Sequence, residues 1–155
     1  MKNTDSFVPH AWNLRKAPFL ILLVVVLAGC PVRFISNYDE KTDQAVTDLQ
    51  KKVETFFVTA EGQTDPLECK YENHKVFYRE AKVAVSAIEL RAKATPDNHI
   101  TLQHVGLLKD SLKKLEELHK INCLSAAQVA PLRSNFDSTF TAILKFELAK
   151  KRGEQ

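Results

Sequence analysis

Five histidines, three cysteines and a single Glu-x-x-His, Glu116 to His119, are the residues with which this chain could do redox, metal or nucleophilic chemistry. A carboxylate-bridged di-iron bundle needs such a motif from each of two helices plus further glutamates. Glu72 and His74 stand at the wrong spacing to supply the second half. His99 and His104 are five apart, which on a helix turns them away from the same-face spacing of three or four. His119, at the edge of an apolar register, reads as a boundary histidine satisfied by its neighbours. No Cys-x-x-Cys-His offers covalent haem attachment, and the sole methionine is Met1. The chain has no Gly-x-Ser-x-Gly elbow, glycine-rich phosphate loop or His-Glu-x-x-His. After Gly29 only Gly62, Gly106 and Gly153 remain, too few for catalytic sites built on loops. The expectation is therefore no metal, no cofactor and no enzymatic turnover.

Cys30 stands apart from the other two cysteines. Arg15 and Lys16 precede an apolar run from Ala17 to Leu27, which suits the basic and apolar regions of a cleavable signal. The run is short for a bilayer-spanning helix, which needs roughly 20 apolar residues. It ends in Leu27-Ala28-Gly29-Cys30, and this resembles the lipobox of bacterial lipoproteins. The resemblance covers the leader alone. It implies cleavage after Gly29, a diacylglycerol on the Cys30 thiol, and attachment to a membrane on its periplasmic side. Pro31 occupies the place where aspartate would resemble an inner-membrane retention signal, which tilts the expected location toward the outer membrane.

With residues 1–29 removed, 126 residues remain, enough for one domain with one core. The leader takes Lys2, Arg15, Lys16 and Asp5 with it, leaving 19 basic against 18 acidic residues. A nucleic-acid partner would call for a strong basic excess on one face, so none is expected. Once Cys30 is acylated, Cys69 and Cys123 form an even pair in an oxidising compartment, where paired thiols usually become a disulfide. The alternative is two buried thiols acting as small apolar residues.

The elements that must position these residues are helical. Residues 30–37 read as a tether of at most about 28 Å when fully extended, with Val32, Phe34 and Ile35 apolar enough to pack on the domain or the lipid interface. A first helix is expected from Asp39 to Ala60, with Val46, Leu49, Val53, Phe56 and Phe57 on one stripe. Asp65 and Pro66 predict the cap and first turn of a second helix reaching Ala94, with Tyr71, Phe77, Tyr78, Ala81, Ala84, Val85 and Ile88 inward. Thr95-Pro96-Asp97-Asn98 breaks the chain. A third helix follows over residues 98–122, with Val105, Leu108, Leu112 and Leu115 inward and Lys109, Lys113, Lys114, Glu116 and Glu117 on the solvated side. Ser125 with Gln128 reads as a capping box opening a fourth helix that ends near Lys151. Its inward set is Leu132, Phe136, Phe140, Ile143, Leu144 and Leu148, and Pro131 must start it or kink it.

The fold class is thus all-α, an antiparallel up-down four-helix bundle over residues 38–152 with a tail at 153–155, after a cleaved lipoprotein signal peptide. Up-down order brings Cys69 and Cys123 to one end, and the tether and Lys150, Lys151 and Arg152 to the other. That basic group is a candidate membrane contact, or simply positive charge favoured at a helix C-terminus. Lys75, Arg79 and Lys82 form a basic stripe on the second helix, a candidate partner surface or ordinary solvated charge. The functional expectation is a membrane-anchored module that binds an envelope protein as accessory, adaptor or assembly factor. The alternative is a bundle that binds a small ligand, lipid or metal.

Overall fold

The computed structural model describes residues 36–63 and 65–153. The expectations for the leader, Cys30 and the first part of the tether lie outside them. Four helices follow in order: α1 Glu40–Gly62, α2 Tyr71–Ala94, α3 His99–Ile121 and α4 Ala126–Gly153. The packed pairs are α1/α2, α2/α3, α3/α4 and α1/α4, so each helix lies beside its sequence neighbour and the last closes on the first. Ion pairs fix the antiparallel sense, Arg91 of α2 meeting Asp39 beside the start of α1 and Lys109 of α3 meeting Glu89 of α2. The protein is an up-down four-helix bundle.

Its core is the set that the 3.6-residue period selects. Val46, Leu49, Val53, Phe56 and Phe57 from α1 meet Tyr78, Ala81, Val85 and Ile88 from α2, Val105, Leu108, Leu112 and Leu115 from α3, and Val129, Phe136, Phe140 and Ile143 from α4. Phe57 packs edge-on against Phe136, tying α1 to α4, and burying each such side chain contributes about 1.5–3 kcal/mol.

The helix boundaries depart from expectation at one place. Asp65 does cap, its Oδ1 accepting the Leu67 N–H at 2.7 Å, and its carbonyl accepts the N–H groups of Glu68 and Cys69. That turn is not continued, because Lys70 is extended at φ −69° and ψ 143°. Helix α2 therefore starts at Tyr71 rather than Pro66, and residues 66–69 form a separate turn. Asn73 steadies it by donating from Nδ2 to the carbonyls of Leu67 and Glu68.

At α4 the Gln128 Oε1 accepts the Ser125 N–H at 3.0 Å, but the Ser125 hydroxyl donates to the same oxygen instead of accepting a backbone N–H. Half of the expected box is present. Helix α4 runs unbroken through Pro131. This proline lies in the second turn, and the hydrogen bond it forfeits belongs to the carbonyl of the exposed Ala127, which water can reach.

Three side chains expected at the surface or in the core lie elsewhere. Glu116 is buried rather than solvated, and Leu148 is 47% exposed rather than inward. Lys150 is 6% exposed, with its ammonium group inside the bundle. This removes it from the expected basic membrane contact and leaves Lys151 and Arg152 at the surface.

Candidate interaction surface

The two ends of the bundle are held by different chemistry. At one, Cys69 and Cys123 form a disulfide with Cα atoms 5.4 Å apart. The Cys69 carbonyl accepts a hydrogen bond from Nε2 of His119 at 2.7 Å. A carbonyl has no proton to give, so Nε2 carries the hydrogen; Nδ1 lies 2.8 Å from the Tyr78 hydroxyl, from which it accepts in the Nε2–H tautomer. The expected boundary histidine is therefore buried with both nitrogens satisfied. His74 lies beside it, ring centroids 5.1 Å apart, and burial followed by the His119 ring lowers the His74 pKa. Phe56 and Phe77 stack face to face at 4.2 Å next to these rings.

Glu116 sits one turn along α3. It accepts from the Tyr71 hydroxyl at 2.8 Å and pairs with Lys82 at 2.5 Å and Lys120 at 3.3 Å. Burial pushes the Glu116 carboxyl up, but these three donors outweigh it and hold the group below the ordinary carboxylate value. Glu116 and His119 have separate partners, and among the described residues no group of three or more His, Cys, Asp or Glu side chains converges as a metal cage.

At the opposite end the segment before α1 is pinned to the bundle. Ser36, within the expected tether, is buried and donates to Asn98 Oδ1 at 3.1 Å. The same oxygen accepts from Lys150 Nζ at 2.6 Å, and Lys150 also donates to Glu147 Oε1 at 2.6 Å and Thr101 Oγ1 at 3.1 Å. Thr101 in turn donates to Glu147 at 2.7 Å. Asn98 precedes α3 but makes no side-chain cap there, because its amide is committed to Ala92, Ser36 and Lys150. Asp39 caps Lys41 and forms a two-bonded pair with Arg91, whose guanidinium holds the Asp39 carboxyl down at about 2. Tyr38 donates to Asp43 at 2.8 Å, which pushes its phenol up to about 12, and Lys151 lies over the Tyr38 ring.

Between these ends, α2 presents an apolar row to solvent. Val76, Val83 and Leu90 are 53%, 65% and 71% exposed, seven residues apart. A seven-residue step drifts only about 20° around a helix, so the three form one stripe opposite the buried Tyr78, Ala81, Val85, Ile88 and Ala92. Sequence reasoning, directed to the core face, passed over this second face, although the spacing of Val76, Val83 and Leu90 was legible.

The expected basic stripe does not stay together. Arg79 is exposed next to the apolar row. Lys82 turns toward α3 and Glu116, while Lys75 pairs with Glu72 at 3.4 Å and approaches the Tyr71 ring. Lys82 then belongs to a groove of about 690 Å³ between α2 and α3, whose Lys109 is paired with Glu89 and whose Lys113 is paired with Glu117. No family model, curated protein or solved structure matches the chain.

Proposed function

We propose that this protein is a lipid-anchored helical module of the bacterial cell envelope, held by Cys30 on the periplasmic side of the outer membrane, that binds another envelope protein without turnover. The observation that carries the interaction reading is the solvent-facing row of Val76, Val83 and Leu90 on a helix whose other face is already packed. Exposed apolar side chains aligned on one helix face and interleaved with polar residues suit a protein contact, and Arg79 supplies an adjacent cation suited to a central role in such contacts. Anchoring supports the same reading, since confinement near a membrane raises the effective concentration of membrane-bound partners without any new contact.

Photo-crosslinking residues placed at Arg79 and Val83 in cells should capture one discrete envelope protein, while the same residue at Lys114, exposed on α3, should not. The ligand-binding alternative draws on a groove of about 390 Å³ between α1 and α2, lined by Phe56 and Phe77 with His74 and Val76. Absence of any adduct from Arg79 and Val83, together with a stoichiometric lipid or metal in the purified protein, would replace the interaction reading with that one.

A further inference from the structure

The pinned segment before α1 shortens the leash that a lipid on Cys30 would have. Ser36 is fixed to Asn98 and through it to Lys150, and Asp39 is fixed to Arg91. Only the five residues 31–35 then separate Cys30 from the pinned Ser36, six chain steps that span at most about 21 Å. Helix α2, of 24 residues, is about 36 Å long. A leash shorter than the helices cannot bring the disulfide end down to the bilayer with the bundle inverted.

From this the geometry points to the end formed by the α2–α3 turn and the last turns of α4 as a bilayer-facing surface, resting on the headgroups of the leaflet that holds the anchor. The inference rests on the lipid-anchor reading above. The side chains at that end suit the occupant. Ala94, Pro96 and Leu148 are exposed apolar groups, and Lys151 and Arg152 are exposed cations on long stems that can follow a headgroup layer. Among the described residues the exposed acids there are Glu40 and Asp97, with half-buried Asp43 held by the Tyr38 hydroxyl and exposed Lys41 adding a third cation. Asp39 is neutralised by Arg91, Glu147 by Lys150, and Glu89 by Lys93 and Lys109. Among the described residues the end is therefore close to charge balance, without the acidic excess that anionic lipid would repel. Standing upright on this surface, the bundle would hold the α2 row sideways, parallel to the membrane normal, and carry the disulfide away from the bilayer.

The test places a fluorescent amino acid at Leu148, Val83 or Ile121 in the full chain, purified from membranes and reconstituted in vesicles of phosphatidylcholine with a minority of phosphatidylglycerol. Lipid-borne nitroxides then quench according to proximity. Quenching at position 148 should exceed that at 121 severalfold, with position 83 between them. Equal quenching at all three positions, stronger quenching at 83 or 121 than at 148, or none at any position would overturn the proposal. Intact mass separates this from failure of the anchor. If Cys30 carries no acyl group the anchor reading falls. The same three labels on protein whose Cys30 thiol is coupled to a maleimide phospholipid then decide the docking surface by the same order of quenching.

Discussion

The disulfide end and the tether end of the bundle solve one problem by opposite means. Each has to fix a segment outside the helices, residues 66–69 in one case and residues 36–39 in the other. The disulfide end uses a covalent bond between Cys69 and Cys123 with neutral groups around it, namely the His119 ring, the Tyr78 hydroxyl and the stacked Phe56 and Phe77. The tether end uses a buried ion pair, Lys150 with Glu147, completed by Asn98, Thr101 and Ser36. The covalent lock acts chiefly by restricting the unfolded chain. The ionic lock acts in the folded state, and it carries a desolvation cost that only complete pairing offsets. Its pairing is not complete, since Glu147 Oε2 has no hydrogen-bond partner among the described residues.

The difference predicts unequal fragility. Lys150→Met strands the Glu147 carboxylate in the interior and should lower stability by about 3–5 kcal/mol, read as a shift of the urea midpoint. The double variant Lys150→Met with Glu147→Leu should recover most of that loss. Failure to recover would mean the pair itself, and not the stranded charge, supports this end.

At the other end, Cys69→Ala with Cys123→Ala opens a link between residues 54 apart in sequence and should cost about 2–4 kcal/mol. Helical content by circular dichroism should stay nearly unchanged. Loss of the helical signal at ambient temperature would mean that the core does not hold the bundle without its covalent link.

A smaller effect should follow from Tyr78→Phe, which deprives the buried His119 Nδ1 of its donor at a cost of about 1–3 kcal/mol. The nitrogen resonances of His119 in nuclear magnetic resonance should report the Nε2–H tautomer in the parent protein and a changed Nδ1 environment in the variant.

The smallest expected effect is on the acid limb of stability. Asp39 takes its proton at about 2 in the folded protein, against an ordinary 3.8. Its contribution is therefore complete above about pH 4 and lost as pH falls toward 2. Arg91→Ala should remove that contribution, so the stability gap between parent and variant should narrow across this window. A gap independent of pH there would show that the pair does not act through Asp39 ionisation. His74, whose pKa is lowered by burial and by His119, has the same sense of dependence at higher pH. Unfolded chains bind its proton first, so its contribution is present at neutral pH and wanes once pH drops below 6.5.

The sequence carried the helices and the covalent lock but hid the ionic one. The apolar period from Val46 to Ile143 marks the core, and up-down order alone brings Cys69 to Cys123. Lys150 and Glu147, three apart on one helix, look like a surface salt bridge, and a charged head is ordinarily assigned to water. Their register gave the contrary signal, since Phe140, Ile143, Glu147 and Lys150 repeat at three and four and so continue the buried stripe. Glu116 follows Leu112 and Leu115 in the same way. The start of α2 departs from the sequence pattern for a different reason. A correct cap at Asp65 does not disclose that the turn it opens stops at Lys70, where the disulfide and the His119 contact to the Cys69 carbonyl hold the chain. Partners distant in sequence decide these positions, and no local pattern records them.

The proposed contact of the tether end with a membrane depends on Cys30. The most direct test is the intact mass of the protein extracted from bacterial membranes without reduction. The expected mass lacks residues 1–29 and carries a diacylglyceryl group on Cys30, with the two remaining cysteines oxidised to the disulfide. A chain that retains its leader with an unmodified Cys30 thiol would contradict the anchored reading.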